Sequence, residues 1–127
     1  HLAHRRQRQM CIRDRGKKDG LGLIDGEVKK IKQINDLKIP HMGWNETYFP
    51  KKSNKFKNLK NKSFFYYVHS YECVPTVENI ITSYTYYGNK ICSSIEYKNI
   101  FATQFHPEKS GDDGIKIYQN FIDYLKI

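Results

Sequence analysis

Ile100-Phe101-Ala102-Thr103-Gln104-Phe105-His106-Pro107-Glu108-Lys109-Ser110-Gly111-Asp112-Asp113 is the stretch on which the fold turns. Ile100 to Phe105 is an apolar run and reads as a strand. Pro107 biases the residue before it toward extended backbone, so His106 should leave the strand's C-terminal edge. Gly111 allows a sharp turn, and Asp112 and Asp113 supply the negative charge that favours a helix N-terminus. Beyond them Ile115, Tyr118, Phe121, Ile122 and Leu125 recur every three or four residues. That stripe predicts a final helix packed on the sheet. Strand, turn and helix in direct succession point to an α/β layer arrangement.

Working outward, the preceding strands read as antiparallel. Ile80 to Tyr86 and Ile91 to Tyr97 flank Tyr87-Gly88-Asn89-Lys90, a hairpin turn, and Lys98-Asn99 makes the next one. Phe64 to Val68 is an aromatic strand. Lys51 to Lys62 has few apolar residues and predicts a solvated loop with one helical turn. Further back, Gly20 to Gly26 is a glycine-punctuated entry into a short strand, Glu27 to Ile31. The expectation is a mixed sheet with an antiparallel tail and a closing helix.

His106 and Glu108 carry the chemistry. In an extended segment residues i and i+2 face the same side, so the two side chains should project together. An imidazole can take a proton from a nucleophile, while a carboxylate beside it fixes the tautomer and steadies the imidazolium. The plainer reading is a strand-end pair that caps a turn.

Gln104 to Gly111 as a whole resembles the motif of class I glutamine amidotransferases, in which such a pair completes a Cys-His-Glu triad that splits the side-chain amide of glutamine. Pro40-His41-Met42-Gly43-Trp44-Asn45 and Tyr67-Val68-His69-Ser70-Tyr71 narrow the resemblance to the glutaminase subunits of imidazole glycerol phosphate synthase, over about Gly20 to Ile127. The resemblance implies a C-terminal portion of that fold, with His106 as general base and Glu108 as its orienter. It implies Ser70 and Tyr71 beside bound glutamine, mainly through backbone. Met42, Trp44, Tyr66 and Lys109 would face a synthase subunit that receives ammonia. For Trp44 and Tyr66 a place in the core is an equal alternative, and the plainer reading of Lys109 is a solvated charge. His69 reads as a hydrogen-bonded support near the substrate pocket.

The nucleophile is what the sequence lacks. It should sit in a Gly-x-Cys-x-Gly elbow. Cys11 has no flanking glycine, and Cys73 and Cys92 fall in or near strands, where buried structural thiols are expected. The chain is therefore expected to be inactive alone.

Composition narrows the remaining classes. A chain of 127 residues holds one core. Three cysteines without framework spacing point to a reducing, cytoplasmic setting. No apolar run approaches the ~20 residues of a membrane span. Neither metal-ligand spacing nor a phosphate-cradling loop is present, so no cofactor or metal is expected. All five arginines lie within residues 1–15, and every later basic residue is lysine. Residues 1–15 are expected to be a non-native leader, and residues 16–127 the amidotransferase part. Without the leader the net charge falls from +9 to +5. A basic nucleic-acid-binding module is the rival from another class, but the lysines are dispersed and carry no recognition signature. A paralogue serving surface-sugar biosynthesis is the rival within the family.

Overall fold

The computed structural model describes residues 11–14, 18–19, 23–34, 36–51, 53–60 and 62–125, the first two segments as backbone alone. Among the described residues nine strands precede one α-helix: β1 (Cys11–Asp14), β2 (Lys18–Asp19), β3 (Ile24–Lys30), β4 (His41–Tyr48), β5 (Lys62–His69), β6 (Tyr71–Pro75), β7 (Ile81–Tyr87), β8 (Asn89–Tyr97), β9 (Ile100–Thr103) and α1 (Gly111–Leu125). They form two sheets, ordered β2-β1-β3-β6 and β5-β4-β7-β8-β9. Among the described residues only the β1–β3 pairing is parallel. The larger sheet is antiparallel throughout, as expected for this half of the chain.

β5 shows why these residues make a strand that covers a core. Ser63, Phe65, Tyr67 and His69 are buried while Lys62 and Phe64 are exposed, the period-two alternation of a half-buried strand. Its inward aromatics meet Phe56, Phe105 and Ile117, and the Phe65 and Phe105 rings stack with centroids 4.2 Å apart. A second cluster joins Ile24, Ile81, Cys92 and Ile95. The chain changes sheets at Ser70, between β5 and β6, where the Ser70 carbonyl accepts a hydrogen bond from Ile31 N–H (2.9 Å).

The hairpin between β7 and β8 forms where expected, with Gly88 at φ +78° supplying the left-handed residue. Lys98, at φ +54°, does the same in the next turn.

Several expectations are corrected. β3 begins at Ile24 rather than Glu27, and Gly20 to Gly22 of the expected entry lie outside the described residues. β9 ends at Thr103, because the chain then turns to bury Phe105. Lys51–Lys62 is not simply a solvated loop. Its 3-10 turn, Asn54–Phe56, sinks Phe56 into the first cluster, and buried Lys55 pairs with Glu96 (3.2 Å) and lies over the Tyr124 ring. Asn120 of α1 fastens this turn by donating to the Lys55 and Lys57 carbonyls.

The helix turns a different face inward from the one the apolar stripe predicts. Gly114, Ile117 and Asn120 are buried, whereas Ile115 and Leu125 are each 64% exposed. The cause is a close approach: a Cβ on Gly114 would stand 2.0 Å from the Pro107 carbonyl oxygen. Only glycine permits that contact, and it sets the rotation of the whole helix. No helix among the described residues is long and apolar enough to cross a membrane.

Candidate active site

His106 is held by its backbone before its side chain is considered. Its N–H donates to the Tyr66 carbonyl of β5 (2.9 Å). Its own carbonyl accepts from the Ser110 hydroxyl (2.7 Å) and from Lys109 N–H (3.0 Å). Ser110 Oγ in turn accepts from Tyr66 N–H (3.0 Å). A buried hydroxyl thus links the loop to the strand.

The imidazole and the carboxylate meet, with His106 Nδ1 3.2 Å from Glu108 Oε2. The route differs from the extended alternation expected. Pro107–Lys109 is a 3-10 turn, with His106 (φ −104°, ψ 98°) as its extended entry residue, and the turn swings Glu108 back to the ring. A carboxylate can only accept from the ring nitrogen, so Nδ1 carries the proton and Nε2 is left as the basic nitrogen of neutral His106. The pair is partly open to solvent, at 27% and 51% side-chain exposure, as a proton-transfer pair meeting an incoming reactant must be.

Trp44, Tyr66 and Lys109 gather beside this pair. The Trp44 ring stands edge-on to Tyr66 with centroids 6.1 Å apart, and Lys109 Nζ lies 5.9 Å from the Tyr66 ring centre. Trp44 is 55% exposed, which removes the core-anchor alternative for it, and Tyr66 is half-buried. Met42, two residues along the same face of β4, is exposed as well. Tyr118, read from sequence as core, lies near Glu108. Partial burial, and then the Glu108 charge, raise its hydroxyl pKa.

Ser70 and Tyr71 do not join this group directly. Ser70 follows the end of β5, four residues from Tyr66, which is about 13 Å along an extended chain, and Tyr71 opens β6. There His69 is buried between its neighbours, donating from Nδ1 to the Tyr71 carbonyl (2.8 Å) and sharing a hydrogen bond with His41 (2.9 Å). Its reading as a hydrogen-bonded support holds. His41 and Ser110 were missed. Both are polar residues whose roles depend on partners 28 and 44 positions away, for which local sequence gives no signal.

Cys92 is buried in the second cluster, with Ile24, Ile81 and Ile95, while His106 follows Phe105 of the first. Cys73, expected to be buried, is only half-buried in β6. Cys11 lies in β1 by its backbone, and its side chain is outside the described residues. Among the described residues no group of three His, Cys, Asp or Glu side chains could hold a metal ion.

The family described as glutamine amidotransferase class-I matches residues 10–124. This chain belongs to that family. Among curated proteins, it is 50% identical over 105 residues to "Imidazole glycerol phosphate synthase subunit HisH" of Pelagibacter ubique, covering 82% of this chain and 50% of that one. The protein of the same name from Methanocaldococcus jannaschii is 50% identical over 106 residues, covering 84% and 53%. The chain spans about half the length of the curated relatives it matches. A solved structure from Thermoplasma acidophilum, named for GMP synthase, superposes with a TM-score of 0.63 at 23% identity, covering 80% of this chain and 51% of that one. That likeness shows a shared fold. The mixed strand arrangement and closing helix are accordingly those of a class-I amidotransferase domain.

Proposed function

We propose that this chain is the C-terminal part of a glutaminase subunit that hydrolyses glutamine and delivers ammonia to a synthase subunit making imidazole glycerol phosphate, in histidine biosynthesis. One observation carries the reading: the His106–Glu108 pair, clamped to β5 through Tyr66 and Ser110 in a member of the amidotransferase family. The names and identities of the relatives support this pathway over surface-sugar amidotransfer.

In this reading a cysteine encoded upstream attacks the glutamine amide carbon. His106 Nε2 takes the thiol proton and returns it to the departing ammonia, and later activates the water that releases glutamate. Glu108 holds Nδ1–H and steadies the imidazolium. Ser70 and Tyr71 contact glutamine through backbone, and the exposed Met42, Trp44 and Lys109 with half-buried Tyr66 face the synthase subunit. Exposed aromatic and basic side chains gathered on one face suit a subunit contact. Residues 1 to about 15 are a leader of foreign coding origin, a reading supported by the confinement of every arginine to them. The family match from residue 10 overlaps its end. The setting is the cytoplasm, a reading supported by three cysteines without framework spacing.

Assayed with its synthase partner, the full-length subunit carrying His106→Ala should lose glutaminase turnover by at least about a thousandfold, and Glu108→Gln should lose less. The isolated chain should not hydrolyse glutamine at all. Turnover by the chain alone, abolished by Cys73→Ser, would show that the nucleophile lies within these residues after all.

A further inference from the structure

His41 and His69 form a buried pair that the proposed chemistry does not use. His41 opens β4 and His69 closes β5, opposite one another in the ladder, and neither is more than 2% exposed. A carbonyl oxygen only accepts, so His69 Nδ1, 2.8 Å from the Tyr71 oxygen, carries a proton. Neutral His69 then presents a bare Nε2, and His41 Nδ1, 2.9 Å away, is its donor. Hydrogen bonds therefore run one way, from His41 Nδ1–H to His69 Nε2, and from His69 Nδ1–H to the Tyr71 carbonyl. The His41 ring is stacked between Tyr67 and Tyr87, with centroids 4.9 and 3.9 Å away. The titratable groups in ring contact with it are His69 and Tyr67 of β5 and Tyr87 of β7. Burial first, and the neighbouring His69 second, push the His41 pKa down to about 4, so the ring is neutral near pH 7.

We propose that His41 is a positioning residue for glutamine, selecting the His69 tautomer that pins the Tyr71 carbonyl and so orients the Ser70–Tyr71 backbone. This rests on the reading of Ser70 and Tyr71 as glutamine contacts. Ser70 is the point where the chain crosses between sheets, and its own carbonyl is held by Ile31 N–H. The adjoining Tyr71 carbonyl is held from the other side by His69. Without a donor at His41, the Nδ1–H tautomer loses one of the bonds that favour it, protonation shifts toward Nε2, and the hold on the Tyr71 carbonyl weakens.

Two substitutions separate positioning from packing. His41→Phe keeps a ring between Tyr67 and Tyr87 but removes the donor. His41→Asn keeps a donor near the Nδ1 position but removes the ring. In the full-length subunit, His41→Phe should raise KM for glutamine about tenfold with kcat within about twofold, the loss of one ordering hydrogen bond. His41→Asn should bring KM most of the way back. A purely structural role ranks the variants the other way, with Phe benign and Asn harmful. Long-range nitrogen–proton NMR spectra of the present chain should show His69 protonated on Nδ1, with protonation shifting toward Nε2 in His41→Phe. An unchanged KM in His41→Phe, or a His69 tautomer indifferent to the substitution, overturns the proposal. If instead His106→Ala retains turnover, the glutaminase reading itself falls and takes this role with it. That outcome is distinct from an inactive His106→Ala with a normal His41→Phe.

Discussion

Ser110 shows how much one small side chain can settle. Its hydroxyl donates to the His106 carbonyl and accepts from Tyr66 N–H, in a position only 2% exposed. Ser110→Ala leaves a backbone donor and the His106 carbonyl each short of this partner. The expected cost is about 1–3 kcal/mol, read as a lowered urea midpoint, together with reduced kcat in the full-length subunit because His106 is less well held. His41 makes the second prediction at this scale. Its folded-state pKa, about 4, lies below the ordinary 6.5. The unfolded chain therefore takes up a proton near pH 6.5 that the folded chain refuses until about pH 4. The pair's contribution is fully present above pH 6.5 and is lost as pH falls through that window, by at most about 3 kcal/mol. Denaturation of wild type and His41→Phe at pH 7 and pH 4.5 should show the larger acid loss in wild type.

The closing helix, α1, is where counting apolar residues misleads. Of its stripe, Ile115, Tyr118, Ile122 and Leu125 are exposed and only Phe121 packs, half-buried against Phe101, while the packed face is built on Gly114, Ile117 and Asn120. Ile117→Ala should destabilise the chain by about 2–4 kcal/mol, whereas Ile115→Ala should stay within about 0.5. Equal losses in thermal unfolding would mean the helix is rotated from the face described. Gly114→Ala should be severe, because the new methyl collides with the Pro107 carbonyl and must push the helix off the turn that carries Glu108. The exposed stripe should make the isolated chain bind a hydrophobic dye, and Ile115→Lys with Ile122→Lys should reduce the signal while leaving the unfolding midpoint in place.

Across the whole molecule, the His106–Glu108 pair and the Trp44–Tyr66–Lys109 group share one region because β4, β5 and the 3-10 turn meet there. If that face receives the synthase subunit, Trp44→Ala should weaken association by about 2 kcal/mol or more. Titration calorimetry with the partner checks this, and an unchanged affinity would return Trp44 to the status of an incidental surface aromatic. The aromatic strand β5, the β7–β8 hairpin about Gly88 with β9 after it, and the final helix were legible in the sequence, whereas β1, β2, β4 and β6 were not read as strands. The pairing of His106 with Glu108 was legible too. Each legible feature depends on alternation, turn chemistry or charge within a few neighbouring residues. The inward face of α1 was not legible, because periodicity registers apolar side chains and is blind to a glycine buried for closeness or an asparagine buried to reach two carbonyls. Phe56 was hidden among lysines for a similar reason, since one aromatic in a polar segment declares its burial only when a cluster stands ready to accept it. The His41–His69 link and the Ser110 clamp join residues far apart in sequence. Local preference thus sufficed for the hairpin strands and the closing helix, because those choices are made by nearby backbone and side chains. Long-range packing chose which faces are dry, which nitrogen holds a proton and which carbonyl is pinned. Burial and hydrogen-bond partners exist only once distant segments have met.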